Sequence, residues 1–187
     1  MRDPHPTPDL KICGITDPEQ AQAIAQMGVQ AIGVIGVPAT PRFVEPAQRR
    51  ALFQLLEQQH PQLHRVWVVA DPNDAALEEA LNGAGQPSVV QLHGSESDER
   101  CQRLKQCYPR QQWWKALRVR EPEDLKQLER YAPHVDALLL DAWSADQLGG
   151  TGHRIPIDWL AETELSVPWW LAGGCLLYTS PSPRDKT

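Results

Sequence analysis

Along this chain, short apolar runs alternate with stretches whose apolar residues recur at helical spacing, and turn residues separate the two. The first run, Leu10-Lys11-Ile12-Cys13-Gly14-Ile15-Thr16, reads as a short buried strand that stops at Gly14. Period-2 alternation puts Lys11 and Cys13 on one face of it and Ile12 on the other. A helix from Asp17 to Met27 follows, with Ala21, Ile24 and Ala25 at helical spacing and Gly28 closing it. Ala31 to Val37 is apolar and β-branched, hence a buried strand. Pro38 to Val44 is a loop, and Pro46 opens a helix running to about Gln59.

The same alternation continues. His64 to Ala70 is a third strand, and Asp71-Pro72-Asn73-Asp74 caps a helix to Leu81. Ser88 to Leu92 is a fourth strand, ending in His93-Gly94 before an acidic helix start at Glu96 to Glu99. Trp113 to Val119 and Ala137 to Asp141 are the fifth and sixth strands, with a helix over Pro122 to Tyr131 between them. A glycine-rich loop, a short helix from about Ile157 to Ala161 and a seventh strand, Pro168 to Ala172, complete the series.

Strand, loop and helix recurring every 20 to 30 residues or so predict an α/β fold with a parallel sheet and right-handed crossovers. No GxGxxG follows the first strand, which weighs against an open dinucleotide-binding sheet. Chemically capable residues follow nearly every strand: Cys13, Arg42, Asp71, His93, Arg118, Asp141 and Gly173. Only a closed barrel brings all those ends to one mouth, so a (β/α)8 TIM barrel is predicted over residues 10–174. It is incomplete here, with about seven strands and the last βα unit missing. Residues 1–9 read as a loose polar tail. Residues 175–187 carry no helical periodicity and fit either a genuinely incomplete barrel or foreign sequence from cloning, assembly or a frame error. The second is favoured, and this tail is excluded from the fold.

Composition narrows the function classes. With 187 residues the chain is long enough for one substantial core, and its net charge of −6 supplies no basic face for nucleic acid. No apolar run approaches the roughly 18 residues of a membrane span, and the start has no apolar signal core. A reducing compartment is expected: the cytoplasm, or an organelle stroma if the source bears plastids. Cys13, Cys101, Cys107 and Cys175 form no CxxC pair, which argues against zinc or a disulfide framework. Cys101 and Cys107 are ordinary helix residues on different faces. The paired tryptophans Trp113-Trp114 and Trp169-Trp170 read as core.

Several residues are candidates for chemistry. Cys13, at a strand's carboxyl end with Lys11 two residues back, is either a reactive thiol or an ordinary buried cysteine. Gln91 and His93 share a face at the end of the fourth strand. Asp141 ends an otherwise apolar strand, where desolvation raises a carboxyl pKa toward use as an acid; capping the next loop is the alternative. Gly149-Gly150-Thr151-Gly152 and Ala172-Gly173-Gly174 are two late glycine clusters of the kind that let backbone N–H groups surround a phosphate. Arg42 adds a cation for an anionic group.

Lys11-Ile12-Cys13-Gly14-Ile15-Thr16, Thr40-Pro41-Arg42-Phe43-Val44, Val90-Gln91-Leu92-His93-Gly94, Asp141 leading to Gly149-Gly150-Thr151-Gly152, and Leu171-Ala172-Gly173-Gly174 together resemble the phosphoribosylanthranilate isomerase family, in family order from about Leu10 to Gly174. The resemblance implies an Amadori rearrangement in tryptophan biosynthesis, on a phosphosugar–anthranilate substrate, with no metal and no organic cofactor. It also implies Asp141 as the acid that opens the ribose ring and Cys13 as the base at C2, its thiolate favoured by the charge of Lys11. Arg42 would meet the anthranilate carboxylate, the glycine loops the phosphate, and Gln91 and His93 would line the pocket.

Two departures stand out. The loop Gly36-Val37-Pro38-Ala39-Thr40-Pro41-Arg42 lacks the family's usual aromatic-plus-serine chemistry, and the eighth strand with its phosphate loop is missing. A chain truly ending at Thr187 would have two unpaired edges, poor stability and little activity. Another phosphosugar barrel, with Lys115 as a strand lysine acid, and an inactive fragment with weak phosphate binding are the competing readings.

Overall fold

The computed structural model describes residues 9–142, 154–160 and 165–172. The chain divides into two compact units, Met1–Ser95 and Glu96–Thr187.

In the N-terminal unit four parallel strands lie side by side in chain order: β1 (Lys11–Cys13), β2 (Ala31–Ile35), β3 (His64–Val69) and β4 (Val89–Leu92). Between them run α1 (Pro18–Gln26), α2 (Pro46–Gln59) and α3 (Asp74–Leu81). Asp17 starts α1 by accepting the Gln20 N–H at 2.8 Å, with Pro18 preset for the first turn. β2 ends at Ile35, two residues short of expectation: the Gly36 N–H makes the last bond of the ladder, to the Val68 carbonyl, and the chain then turns, with Thr40 bonding back to Val37. α2 buries Leu52, Phe53 and Leu56 completely, and Arg49 with them.

Arg49 identifies the helix-covered face of this sheet. Its guanidinium lies 4.6 Å from the Trp67 ring and 3.2 Å from Glu79 of α3. Burial lowers the Arg49 pKa against the opposing pull of Glu79, and the stacked indole supplies a cation–π contact in place of water. Trp67 pairs in register with Val34 and Val90, so these three point toward the helices. The alternate set, Gly33-Val66-Val89 and Ile35-Val68-Gln91, points the other way.

The C-terminal unit has α4 (Asp98–Cys107), β5 (Gln112–Val119), α5 (Gln127–Tyr131), β6 (Ala137–Ala142) and β7 (Trp169–Ala172), with β5, β6 and β7 parallel and adjacent. Ser97 caps α4 through the Arg100 N–H. Burial pushes the Cys101 thiol of this helix up to about 11, while Cys107 is exposed.

The single helix expected over Pro122 to Tyr131 is instead a 3-10 turn, Pro122–Lys126, running into one turn of α-helix and a second 3-10 turn, Ala132–His134. The Asp124 carboxylate takes the N–H groups of Arg120 and Glu121, which tightens the first turn, and Pro133 has no N–H to continue the α-helix. Ile157–Leu160 is likewise a 3-10 turn. The paired tryptophans of β7 do not both reach the core. Trp170 stacks on Trp114 at 5.0 Å, but alternation puts Trp169 on the opposite face, where it is 39% exposed.

At the centre of this unit the Lys115 ammonium meets the Glu96 carboxylate at 2.8 Å, with the two side chains 2% and 3% exposed. The Tyr131 ring lies 5.8 Å from the ammonium, and its hydroxyl donates to the Glu96 carbonyl. Among the described residues, no helix is long and apolar enough to cross a membrane.

Removing one member of a buried ion pair leaves the other charge desolvated. Glu96→Gln should therefore cost about 3–5 kcal/mol in urea unfolding, and the double variant Lys115→Met/Glu96→Leu much less. A loss for Glu96→Gln as small as that of a surface substitution would show that the pair does not hold the unit together.

Candidate active site

In the N-terminal unit, parallel register brings the candidate groups to the helix-free face. Cys13 pairs with Gly33, and Gly33 with Val66. The Cys13 sulfur lies where a side chain at Gly33 would have to go: a Cβ there would sit 2.7 Å from Sγ. Glycine in the middle of β2 thus makes the seat of the thiol.

One residue later the chain turns at Gly14, whose φ of +86° suits glycine alone among common residues. The Gly14 and Ile15 N–H groups both donate to the Gly33 carbonyl. The bare Gly14 Cα is covered by Arg42, whose Nη1 donates to the Cys13 carbonyl at 3.4 Å. A Cβ at Gly14 would stand 2.5 Å from that Nη1. Sequence reasoning assigned the neighbouring cation to Lys11, which is half-buried at the opposite end of β1. The structure adds Arg42, brought in from the loop after β2.

Gln91 and His93 meet as the alternation predicts. Gln91 is 2% exposed, and its Nε2 lies 3.2 Å from His93 Nδ1. With the amide donating, Nδ1 accepts, and a neutral imidazole then carries its proton on Nε2. Gln91 Oε1 is buried with no hydrogen-bond partner among the described residues.

In the C-terminal unit, Asp141 is 5% exposed at the carboxyl end of β6, in register with Arg118 of β5 and Ala172 of β7. Lys115 is in register with Leu138. Asp141 is three positions beyond Leu138, an odd offset, so it faces away from the Lys115–Glu96–Tyr131 cluster. Gly149, Gly150, Thr151, Gly152, Gly173 and Gly174 lie outside the described residues, as do residues 1–8 and 175–187.

The stretch Asp71-Pro72-Asn73-Asp74 caps α3 as the sequence predicts, though Asp71 is not the residue that does so. Asn73 does, through the Ala76 N–H, while the Asp71 carboxylate turns to Ser95. A groove of about 380 Å³, lined by Val29, His60 and Leu63 among others, lies where β2 and β3 begin, at the strand ends opposite to Cys13. Among the described residues there is no cluster of three or more His, Cys, Asp or Glu able to hold a metal ion.

The chain is similar to known proteins in sequence and in fold. The model of the family described as N-(5'phosphoribosyl)anthranilate (PRA) isomerase matches residues 10–177. The N-(5'-phosphoribosyl)anthranilate isomerase of Gloeobacter violaceus is 44% identical over 167 residues, covering 88% of this chain and 72% of its own. That of Thermosynechococcus vestitus is 46% identical over 167 residues, covering 88% and 70%. Among solved structures, phosphoribosyl anthranilate isomerase from Thermus thermophilus superimposes with a TM-score of 0.68 at 28% identity, covering 89% of this chain and 77% of that one. The isomerase solved in complex with reduced 1-(o-carboxyphenylamino)-1-deoxyribulose 5-phosphate gives 0.63 at 28% identity, covering 73% and 66%.

If the Gly33 hollow is the seat of the thiol, Gly33→Ala should destabilise the fold by about 1–3 kcal/mol through overpacking. In a Cys13→Ala background roughly 1 kcal/mol or more of that loss should return. Strictly additive losses in urea unfolding would show that the two positions do not touch.

Proposed function

This chain belongs to the N-(5'-phosphoribosyl)anthranilate isomerase family, and from that premise we propose how its own residues carry the reaction. Its fold is of the (β/α)8-barrel class, and its activity is the isomerisation of phosphoribosylanthranilate in tryptophan biosynthesis. The product is 1-(2-carboxyphenylamino)-1-deoxyribulose 5-phosphate.

The chemistry needs one proton delivered and another removed. Asp141 donates to the ribose ring oxygen, the C1–O bond breaks, and the anthranilate nitrogen becomes a Schiff base at C1. Cys13, as thiolate, then takes the proton from C2. The electron pair moves into the C1–C2 bond and neutralises the iminium. The enolamine gains a proton at C1 as its C2 hydroxyl becomes the ketone. No redox partner is needed, because C1 is reduced as C2 is oxidised.

The observation that carries this assignment is common to both units. Each group stands at the carboxyl end of a parallel strand, on the face turned away from the helical residues that pack the other side. That is where barrel enzymes of every chemistry gather their working groups. Arg42, held across Gly14 beside Cys13, is placed to bind the anthranilate carboxylate in a charge-assisted pair. Gln91 and His93 line the pocket, with Gln91 Oε1 as an acceptor for a sugar hydroxyl. Lys11 lies below Cys13 on the same face. Gly149, Gly150, Thr151 and Gly152, with Gly173 and Gly174, supply backbone N–H groups to the phosphate. A thiol that must stay reduced fits the cytoplasm.

Turnover is read from the decay of phosphoribosylanthranilate fluorescence. Cys13→Ala and Asp141→Asn should each lower kcat about 10²–10⁴-fold, the usual share of a general acid or base, while leaving the urea midpoint near that of the parent. An unchanged rate in either variant removes that residue from its role.

A further inference from the structure

Of the non-glycine residues described, Asp71 alone has a positive φ, at 47°. It follows the carboxyl end of β3, where parallel pairing with β4 runs out. The last main-chain bonds of that ladder include the His93 N–H to the Val69 carbonyl at 2.7 Å. Parallel geometry would send the next N–H in the series, that of Ser95, to the carbonyl of residue 71. Instead it donates to the Asp71 side chain, with Oδ1 at 2.9 Å, and the Ser95 hydroxyl donates to Oδ2 at 3.1 Å. The left-handed backbone turns the chain away from the sheet, and the carboxylate continues the ladder by one step in place of the carbonyl.

Gly94 sits under this bridge. A Cβ there would stand 2.4 Å from Asp71 Oδ2 and 2.6 Å from the Asp71 nitrogen, so the approach is open only to glycine. His93 is thereby held on both sides: the β3 ladder fixes its own N–H, and the Asp71–Ser95 bridge fixes the two residues after it.

We propose that Asp71 is a positioning residue for the pocket. Clamped to Ser95 across Gly94, it sets the path of the chain leaving β4 and so aims the His93 imidazole, whose Nδ1 is held by Gln91. The proposal rests on the reading that His93 lines the substrate pocket. The strain of a left-handed backbone at a non-glycine residue is retained because the carboxylate has this second task.

Asp71→Gly removes the carboxylate without a φ penalty, and Asp71→Asn keeps both the left-handed preference and one acceptor oxygen. The full chain is examined by ring nitrogen NMR shifts of His93, hydrogen exchange at the Ser95 amide, and phosphoribosylanthranilate turnover. Asp71→Gly should speed Ser95 exchange, move the His93 ring signals and lower kcat/KM by roughly tenfold, as expected for a misplaced contact group. Asp71→Asn should stay near the parent in all three. In a His93→Ala background the Asp71→Gly loss should shrink to about twofold or less, because the two act through one group. Unmoved His93 signals, or an equal loss with His93 absent, would overturn the proposal and leave Asp71 a turn residue only. Full turnover in His93→Ala would instead remove the reading of His93 as a pocket residue, and the ring signals would still decide whether Asp71 holds it.

Discussion

The parallel register of β1 to β4 is the constraint on which the N-terminal unit depends. Parallel pairing repeats the same face at the same height from strand to strand, so a side chain's neighbours are set by counting. Cys13, Gly33, Val66 and Val89 form one level, and Ile35, Val68 and Gln91 the next. A slip of one residue in β1 would turn Cys13 toward the helix-covered face and bring Ile12 to the helix-free one. The buried stack of Arg49 on Trp67 opposes a slip in β3, because Trp67 would then leave the guanidinium that burial has stripped of water.

Register alone brings the groups near one another; missing Cβ atoms let them touch. Cys13 rests against Gly33, Arg42 crosses Gly14, and Asp71 reaches over Gly94. Each approach joins a residue at one strand end to a glycine on the neighbouring segment. The second and third of these contacts tie the loop after one strand to the loop after another. A polar site made from loops therefore keeps a fixed geometry although each loop, by itself, is held by few main-chain bonds.

Much of this was legible in the sequence, and the misses have physical causes. Apolar runs placed the seven strands of the described residues, because strands of a parallel sheet read as short apolar runs. Cys13, Gln91, His93 and Asp141 could be placed on faces by alternation. The partners could not: Gly33 reads as a neutral strand residue until Cys13 is seen beside it. Asp71-Pro72-Asn73-Asp74 offers three side chains able to cap a helix, and local sequence does not say that Asn73 takes the cap while Asp71 crosses to Ser95. The helix over Pro122 to Tyr131 failed through turn chemistry, since Asp124 satisfies two backbone N–H groups that an α-helix would have left to water. Composition alone assigns both Trp169 and Trp170 to the core. Adjacent residues on a strand cannot share a face, and only Trp170 finds an aromatic partner among the described residues.

The same alternation separates the charged side chains of the C-terminal unit between two faces. Lys115 is the strand lysine that an alternative barrel chemistry would use as its acid. It lies in register with Leu138, three residues before Asp141, and so on the opposite face. Its ammonium is already committed to Glu96 at 2.8 Å against the Tyr131 ring, with almost no solvent contact. A proton donor so enclosed could reach a substrate only by unpairing inside the core, at the cost of a desolvated carboxylate left behind. Arg118 is three positions further along β5, where the count reverses the face, and it stands level with Asp141. One strand thus carries two cations on opposite faces: Lys115 is paired with Glu96 against the Tyr131 ring, and Arg118 stands in register with Asp141, the acid proposed above.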